Sequence, residues 1–239
     1  MIYNMKKSIA FGDSVLEGVI LDTRRCSKDS VRYMFLDDNF TNQCGRRMGM
    51  EIENYGKFGC TVSTGEAMIE RHIDDISRSQ YTFMEFGGND SDFVWEEISS
   101  APEGRHLPRT DLRTFSLTYK KLIDKVRRIG SRPVLLSLTP LDPDRYFEHI
   151  TKGMTPAGRS NILRWLGGNT DSITNWHEMY NLQVFKLGMA LKVPVVDITS
   201  AFLFKKDFRD YLCLDGIHPN EKGHRLIADA VCDHFNFKK

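Results

Sequence analysis

Ser8-Ile9-Ala10-Phe11-Gly12-Asp13-Ser14 is the stretch from which the fold is read. Ile9, Ala10 and Phe11 are apolar in a row, so they read as a strand buried on both faces, as in a parallel sheet covered by helices. Gly12 lets the chain turn at the strand end without a Cβ clash. Ser14 then stands just beyond the C-terminal end of that strand, where open α/β sheets bind their ligands. This position makes Ser14 a candidate nucleophile.

Working outward, four more short apolar runs read as strands: Glu51–Tyr55, Tyr81–Phe86, Pro133–Leu138 and Pro194–Ile198. Between them lie helical patterns. Phe40, Cys44 and Met48 recur at helical spacing over Asn39–Met48, with Gly49 as the stop. Ser63-Thr64-Gly65-Glu66 fits a capping box that opens a helix to about Ile76. Asp111–Ile129 carries one apolar stripe from Leu112 to Ile129 and ends at Gly130. Thr170–Leu191 carries another, and Asn220–Phe235 closes the chain with Asn220 as its cap. Asp22–Ser30, Ser91–Arg109 and the proline- and glycine-bearing Pro140–Gly168 read as loop or irregular excursion. Alternating strands and helices predict an α/β class with a parallel sheet covered on both faces, in one domain.

Composition narrows the function. Lys and Arg number 33 against 32 Asp and Glu, a net charge of +1 that gives no broad electrostatic case for nucleic acid. No apolar run reaches the ~18 residues of a membrane span, and the one after Lys6 and Lys7 is too short for a signal-peptide core, so a cytoplasmic chain without membrane insertion is expected. The five cysteines (Cys26, Cys44, Cys60, Cys213, Cys232) are odd in number and hold no Cys-x-x-Cys, which predicts reduced thiols. The seven histidines lack the paired spacing of a metal helix, so neither metal nor cofactor is expected.

Chemistry concentrates at strand ends. Asp215-Gly216-Ile217-His218-Pro219-Asn220 precedes the last helix. An Asp and a His at this spacing meet across one turn, and Pro219 favours an extended backbone at His218 and suits the first turn of the helix after it. A serine hydroxyl is a weak nucleophile until a base takes its proton, and a carboxylate fixes the tautomer of that base. Acyl transfer also needs donors for a developing oxyanion. The Ser14 amide, the Gly59 amide in Gly56-Lys57-Phe58-Gly59, and the Asn89 side chain in Gly87-Gly88-Asn89-Asp90 are available. Singly, each has a plain alternative: Asp-x-x-His also suits a cap beside a surface histidine or an incomplete metal pair, and Gly-Gly-Asn-Asp also suits a tight turn. Their joint occurrence in one order is harder to explain that way.

In that order the chain resembles the SGNH hydrolases, also called GDSL-type lipases and acylhydrolases. The family's four blocks carry Ser, Gly, Asn and His, and they align with Gly12-Asp13-Ser14, Asn54-Tyr55-Gly56-Lys57-Phe58-Gly59, Gly87-Gly88-Asn89-Asp90 and Asp215-Gly216-Ile217-His218-Pro219. The resemblance runs from the first strand to the last helix. It implies Ser14 as nucleophile, His218 as base and Asp215 as its partner, with an oxyanion hole from the Ser14 and Gly59 amides and the Asn89 side chain. It also implies a three-layer α/β/α sandwich over a single domain of residues 1–239, with a five-stranded parallel sheet in the flavodoxin-like order 2-1-3-4-5. Strand 1 would then lie between strands 2 and 3, bringing Ser14, Gly59 and Asn89 to one switch point. Val15 stands where the family name has Leu, and the long interval from Ser14 to Asn54 leaves Gly56 as the alternative to Gly59.

The expected activity is hydrolysis of a small or polar carboxylic ester, an O-acetyl carbohydrate among the candidates, through an acyl-enzyme. Lysophospholipase or acyl-thioesterase activity of the same family is the alternative, and a non-catalytic flavodoxin-like binding domain is the alternative from another class. An α/β-hydrolase is disfavoured because its Gly-x-Ser-x-Gly lies deep in the chain. Cys60 has no base near it in sequence, and a metal-dependent hydrolase through Asp215 and His218 lacks further ligands. Arg145, Arg164 and Trp165, in the variable excursion at about 140–168, are candidate contacts for a sugar or an anionic group. The partner expected is a small-molecule acyl ester, and the sequence does not specify an oligomeric state.

Overall fold

The computed structural model describes residues 6–26 and 31–236; the end of the loop expected over Asp22–Ser30 lies outside them. Among the described residues the strands are β1 (Lys6–Gly12), β2 (Val19–Leu21), β3 (Tyr33–Phe35), β4 (Met50–Gly56), β5 (Tyr81–Glu85), β6 (Arg132–Leu136) and β7 (Val195–Val196). The helices are α1 (Ser14–Glu17), α2 (Phe40–Met48), α3 (Val62–Arg71), α4 (Ile73–Ser77), α5 (Trp95–Ser100), α6 (Leu112–Ile129), α7 (Pro143–Ile150), α8 (Pro156–Trp165), α9 (Asp171–Leu191), α10 (Ile198–Leu203) and α11 (Glu221–Asn236).

The sheet runs β4-β1-β5-β6-β7, all parallel, which is the expected order 2-1-3-4-5. Successive side chains leave a strand on opposite faces. Ile9, Phe11, Met84 and Leu135 therefore enter one core with α3, α4, α6 and α9. Ala10, Phe83, Val134 and Leu136 enter the other with α1, α2, α10 and α11. This two-sided burial is why the strands read as unbroken apolar runs. Gly12 pairs with Gly56 and with Glu85, so all three strand ends finish level beside Ser14.

Several boundaries differ from the sequence reading. The helix expected from Ser63 to Ile76 starts earlier and breaks. Thr61 is its cap, accepting from the Thr64 amide, and the chain leaves helical geometry at His72 between α3 and α4. The strand expected over Pro194–Ile198 ends at Val196, because Asp197 turns its carboxylate onto the Ser200 amide at 2.9 Å and opens α10. Pro219 lies outside α11 rather than in its first turn, while Asn220 accepts from the Lys222 and Gly223 amides as its cap. Ser91–Arg109 contains the short helix α5, and Pro140–Gly168 holds the two helices α7 and α8. These helices and the start of α9 bury Phe93, Trp95, Ile98, Leu141, Tyr146, Phe147 and Ile162 in a third core of their own. The antiparallel pair β2–β3 had no turn signature in the sequence.

Candidate active site

Ser14 opens α1. Its neighbour Asp13 caps that helix, accepting from the Val15 amide at 2.8 Å. The cap holds the serine at the strand end with its hydroxyl toward the last loop of the chain. There His218 Nε2 lies 2.9 Å from Ser14 Oγ, across 204 residues. His218 Nδ1 lies 2.7 Å from Asp215 Oδ2, and Asp215 Oδ1 accepts from the Ile217 and His218 amides at 3.1 Å each. All three side chains are buried. Burial pushes the Asp215 carboxyl up, but its bonds with His218, that ring's charge and the two amides outweigh burial and hold it below the usual range. An ionised Asp215 thus faces the imidazole nitrogen distal to the serine. The arrangement can draw a proton from Ser14 through His218.

The turn bearing Asp215 and His218 is docked on α7. Gly216 has φ +80, and a Cβ there would stand 2.6 Å from the Asp142 carbonyl. Gly216 O in turn accepts from the Asp142 amide at 2.8 Å. The buried Asp142 carboxylate pairs with Arg145 and Arg209, each at 3.2 Å. The imidazole is also walled by rings: Tyr33 meets it edge-on at 5.2 Å between centroids and Phe58 stacks on it at 5.8 Å. Tyr33 comes from β3 and its hydroxyl lies 3.2 Å from His149 Nε2 on α7. Burial pushes His149 down, which favours its neutral form. Sequence reasoning missed Tyr33 and His149; neither has a local signal, because the contact depends on how the hairpin folds over the sheet.

Of the two glycines offered for the second oxyanion amide, Gly56 is committed elsewhere. Its N–H donates to Asn54 Oδ1 at 2.8 Å, and a Cβ on it would strike the Glu17 backbone at 2.3 Å, so it is the point where β4 meets α1. Gly59 has φ +71 with open space at its Cβ position. Asn89 stands in the turn after β5, its Nδ2 donating to Asp13 Oδ2 at 2.9 Å. Its neighbour Asp90 accepts from the Val62 amide at 3.1 Å on both oxygens, which ties the turn carrying Asn89 to the segment just after Gly59.

A cavity of about 90 Å³ opens beside Ser14, Asn89 and His218, walled by Phe93, Trp95, Tyr146 and Trp176. Tyr146 and Trp95 both donate to Asp92 Oδ1, at 2.7 and 2.8 Å. Arg145, Arg164 and Trp165 do not line it. Arg145 braces Asp142 and the Arg209 carbonyl, Arg164 pairs with Glu103 at the surface, and Trp165 packs on Phe93 and Trp176 behind the wall. Cys60 is buried and its thiol is pushed up to about 12 by burial, with nearby carboxylates adding to the effect, so it stays protonated and a poor nucleophile.

The five-stranded parallel α/β sandwich brings a serine, a histidine and an aspartate together at its switch point. Residues 10–226 match the GDSL-like Lipase/Acylhydrolase family, and the chain belongs to that family and with it to the esterase hydrolases. No curated protein matches the chain by sequence. Among solved structures, the lipase/acylhydrolase from Enterococcus faecalis is 16% identical, covering 98% of this chain and 97% of its own at a TM-score of 0.67. A catalytic mutant of an acetylxylan esterase from Geobacillus stearothermophilus is 16% identical over 97% and 94%, with a TM-score of 0.66. A member of the lipolytic G-D-S-L family from Veillonella parvula is 18% identical over 97% and 98%, with a TM-score of 0.62. Among the described residues no helix is long and apolar enough to cross a membrane.

Proposed function

We propose that this esterase cleaves a small or polar carboxylic ester through an acyl-enzyme on Ser14. His218 takes the Ser14 proton as the hydroxyl attacks the acyl carbon, and returns it to the departing alcohol. Asp215 orients the imidazole and balances its charge. Water, deprotonated by the same histidine, then releases the acid. The Ser14 and Gly59 amides and the Asn89 side chain hold the oxyanion. The observation that carries this reading is the continuous chain Ser14–His218–Asp215, at 2.9 and 2.7 Å.

The cavity of about 90 Å³ suits a short acyl group better than a long one, and its aromatic walls suit the face of a sugar ring. The acetylxylan esterase likeness adds weight to an O-acetyl carbohydrate as substrate. The decisive experiment is Ser14→Ala assayed on p-nitrophenyl acetate and acetylated xylo-oligosaccharides, with fluorophosphonate labelling followed by peptide mass spectrometry. Turnover and label should both vanish; undiminished turnover in the variant ends the assignment, and a wild-type chain inert to ester and probe alike points to a binding domain.

A further inference from the structure

Two carboxyl groups meet in the interior beside this site, and the steps above use neither. Asp13 is 3% exposed and Glu85 2%. They project from the ends of neighbouring strands. Gly12 stands opposite Glu85 in the register and the Asp13 amide donates to Glu85 Oε2 at 3.3 Å, which sets the two carboxyls beside each other. Carboxyls in contact away from water do not both ionise, so the pair holds one proton.

The hydrogen bonds decide where that proton sits. Asp13 already accepts twice, from the Val15 amide at 2.8 Å and from Asn89 Nδ2 at 2.9 Å. Donors favour a charged acceptor, so Asp13 is the carboxylate and Glu85 the acid that donates to it. Burial pushes Glu85 well above the ordinary range, with the Asp13 charge as the second cause. Burial raises Asp13 too, opposed by the bonds it receives. Gly88 keeps the approach open: a Cβ there would come within 3.3 Å of Asp13 Oδ2.

We propose that Asp13 and Glu85 are positioning residues for Asn89, in which the acid of Glu85 steadies the Asp13 carboxylate and that carboxylate holds one N–H of the Asn89 amide, leaving the other for the oxyanion. The inference rests on the oxyanion reading of Asn89 given above. A terminal amide torsion is broad and roughly two-fold, so an unheld Asn turns its oxygen as readily as its nitrogen toward the reacting carbonyl. A fixed acceptor on one side removes that choice. The device also responds to pH. As pH rises through the raised pKa of Glu85, the pair gains a second negative charge and the grip on Asn89 weakens, which gives kcat an alkaline fall. The other titratable groups facing the pair are His218, Asp90, Glu17, Cys60 and Tyr119, and substitution of Glu85 separates its titration from theirs.

The test is steady-state kinetics of the full chain on p-nitrophenyl acetate from about pH 6 to 10, with melting curves for every variant. Glu85→Gln keeps a donor for Asp13 and cannot ionise; it should lose the alkaline fall and exceed Glu85→Ala in kcat by about tenfold at neutral pH. Asp13→Asn still accepts from Val15 but sets amide against amide at Asn89, so kcat should fall by ~10² with KM unchanged. In an Asn89→Ala background the same Asp13→Asn change should add less than about threefold, because its effect passes through Asn89. An alkaline limb in Glu85→Gln that overlays the wild type, or a full Asp13→Asn loss on top of Asn89→Ala, overturns the proposal. Full kcat in Asn89→Ala alone would instead refute the oxyanion reading itself. If Asp13→Asn fails to fold, the Glu85→Gln profile decides the matter.

Discussion

The ring of Tyr33 meets the His218 imidazole edge-on, 5.2 Å between centroids, and joins the hairpin β2–β3 to the proposed base. Its hydroxyl continues to His149 at 3.2 Å, so one side chain spans from the imidazole to α7. A misplacement of about 1 Å in a catalytic group costs on the order of 10²-fold. Tyr33→Ala should therefore lower kcat by about tenfold or more, whereas Tyr33→Phe keeps the ring contact and should stay close to wild type. Equal losses in the two variants would assign the effect to the hydroxyl instead.

Asp215 should matter through kcat. In the proposed triad its carboxylate fixes which imidazole nitrogen carries the proton, so Asp215→Asn is expected to lower kcat by ~10⁴ with little change in KM. A drop under tenfold would mean that Tyr33 and Phe58 alone orient the ring.

Gly216 is irreplaceable for two reasons that act together. Its φ of +80 strains any L side chain, and the Cβ would stand 2.6 Å from Asp142 O and 2.7 Å from the Tyr146 amide. Strain alone is worth about 1–2 kcal/mol, which corresponds to a melting temperature lower by roughly 5 °C in a chain of this size. Gly216→Ala should show that loss in calorimetry and a larger proportional loss in kcat, since the displaced turn carries Asp215 and His218. An unchanged melting temperature would show that the turn can shift off α7.

His224 sets an acid limit on stability. It is fully buried on α11, with Nδ1 accepting from the Phe40 amide at 3.4 Å. Burial, with the charge of His218 second, pulls it from 6.5 down to about 4. The folded state thus binds fewer protons than the unfolded state between those values. The stability this confers is full above about pH 6.5 and is lost as pH falls toward 4, a span worth about 3 kcal/mol. The melting temperature of His224→Leu should fall less steeply over that range than that of wild type. Parallel slopes would place the acid sensitivity elsewhere.

What was legible in the sequence was local. Unbroken apolar runs such as Ile9–Phe11 read as strands because both faces of a parallel sheet are buried. Gly49 and Gly130 marked helix ends because both take positive φ, +61 and +108. Ser14, Asn89, Asp215 and His218 stood out because each follows a strand end or precedes a helix, where a turn carries its chemistry in a few adjacent residues. Gly59 and Gly56 could not be separated that way. What sets them apart in the structure is that Asn54 Oδ1 takes the Gly56 amide and that α1 lies against Gly56, and neither is a property of the turn itself. Arg145 looked like a substrate contact from composition alone, yet it braces Asp142, because an ion pair inside a turn leaves no periodic trace.

By itself, the sequence determined five strands and which residues could carry acyl transfer, since strand periodicity and glycine turns are written in short segments; the strand order came from the four-block resemblance. Only the tertiary structure decided that Tyr33 walls His218, that aromatics from α5, α7 and α9 line the cavity, and that Glu85 meets Asp13 across 72 residues. The physical reason is the same in each case. Hydrophobic period and turn chemistry act over a few residues. Which side chains touch, and which of two carboxyls keeps the proton, depends on how distant strand ends are brought level and what water they exclude.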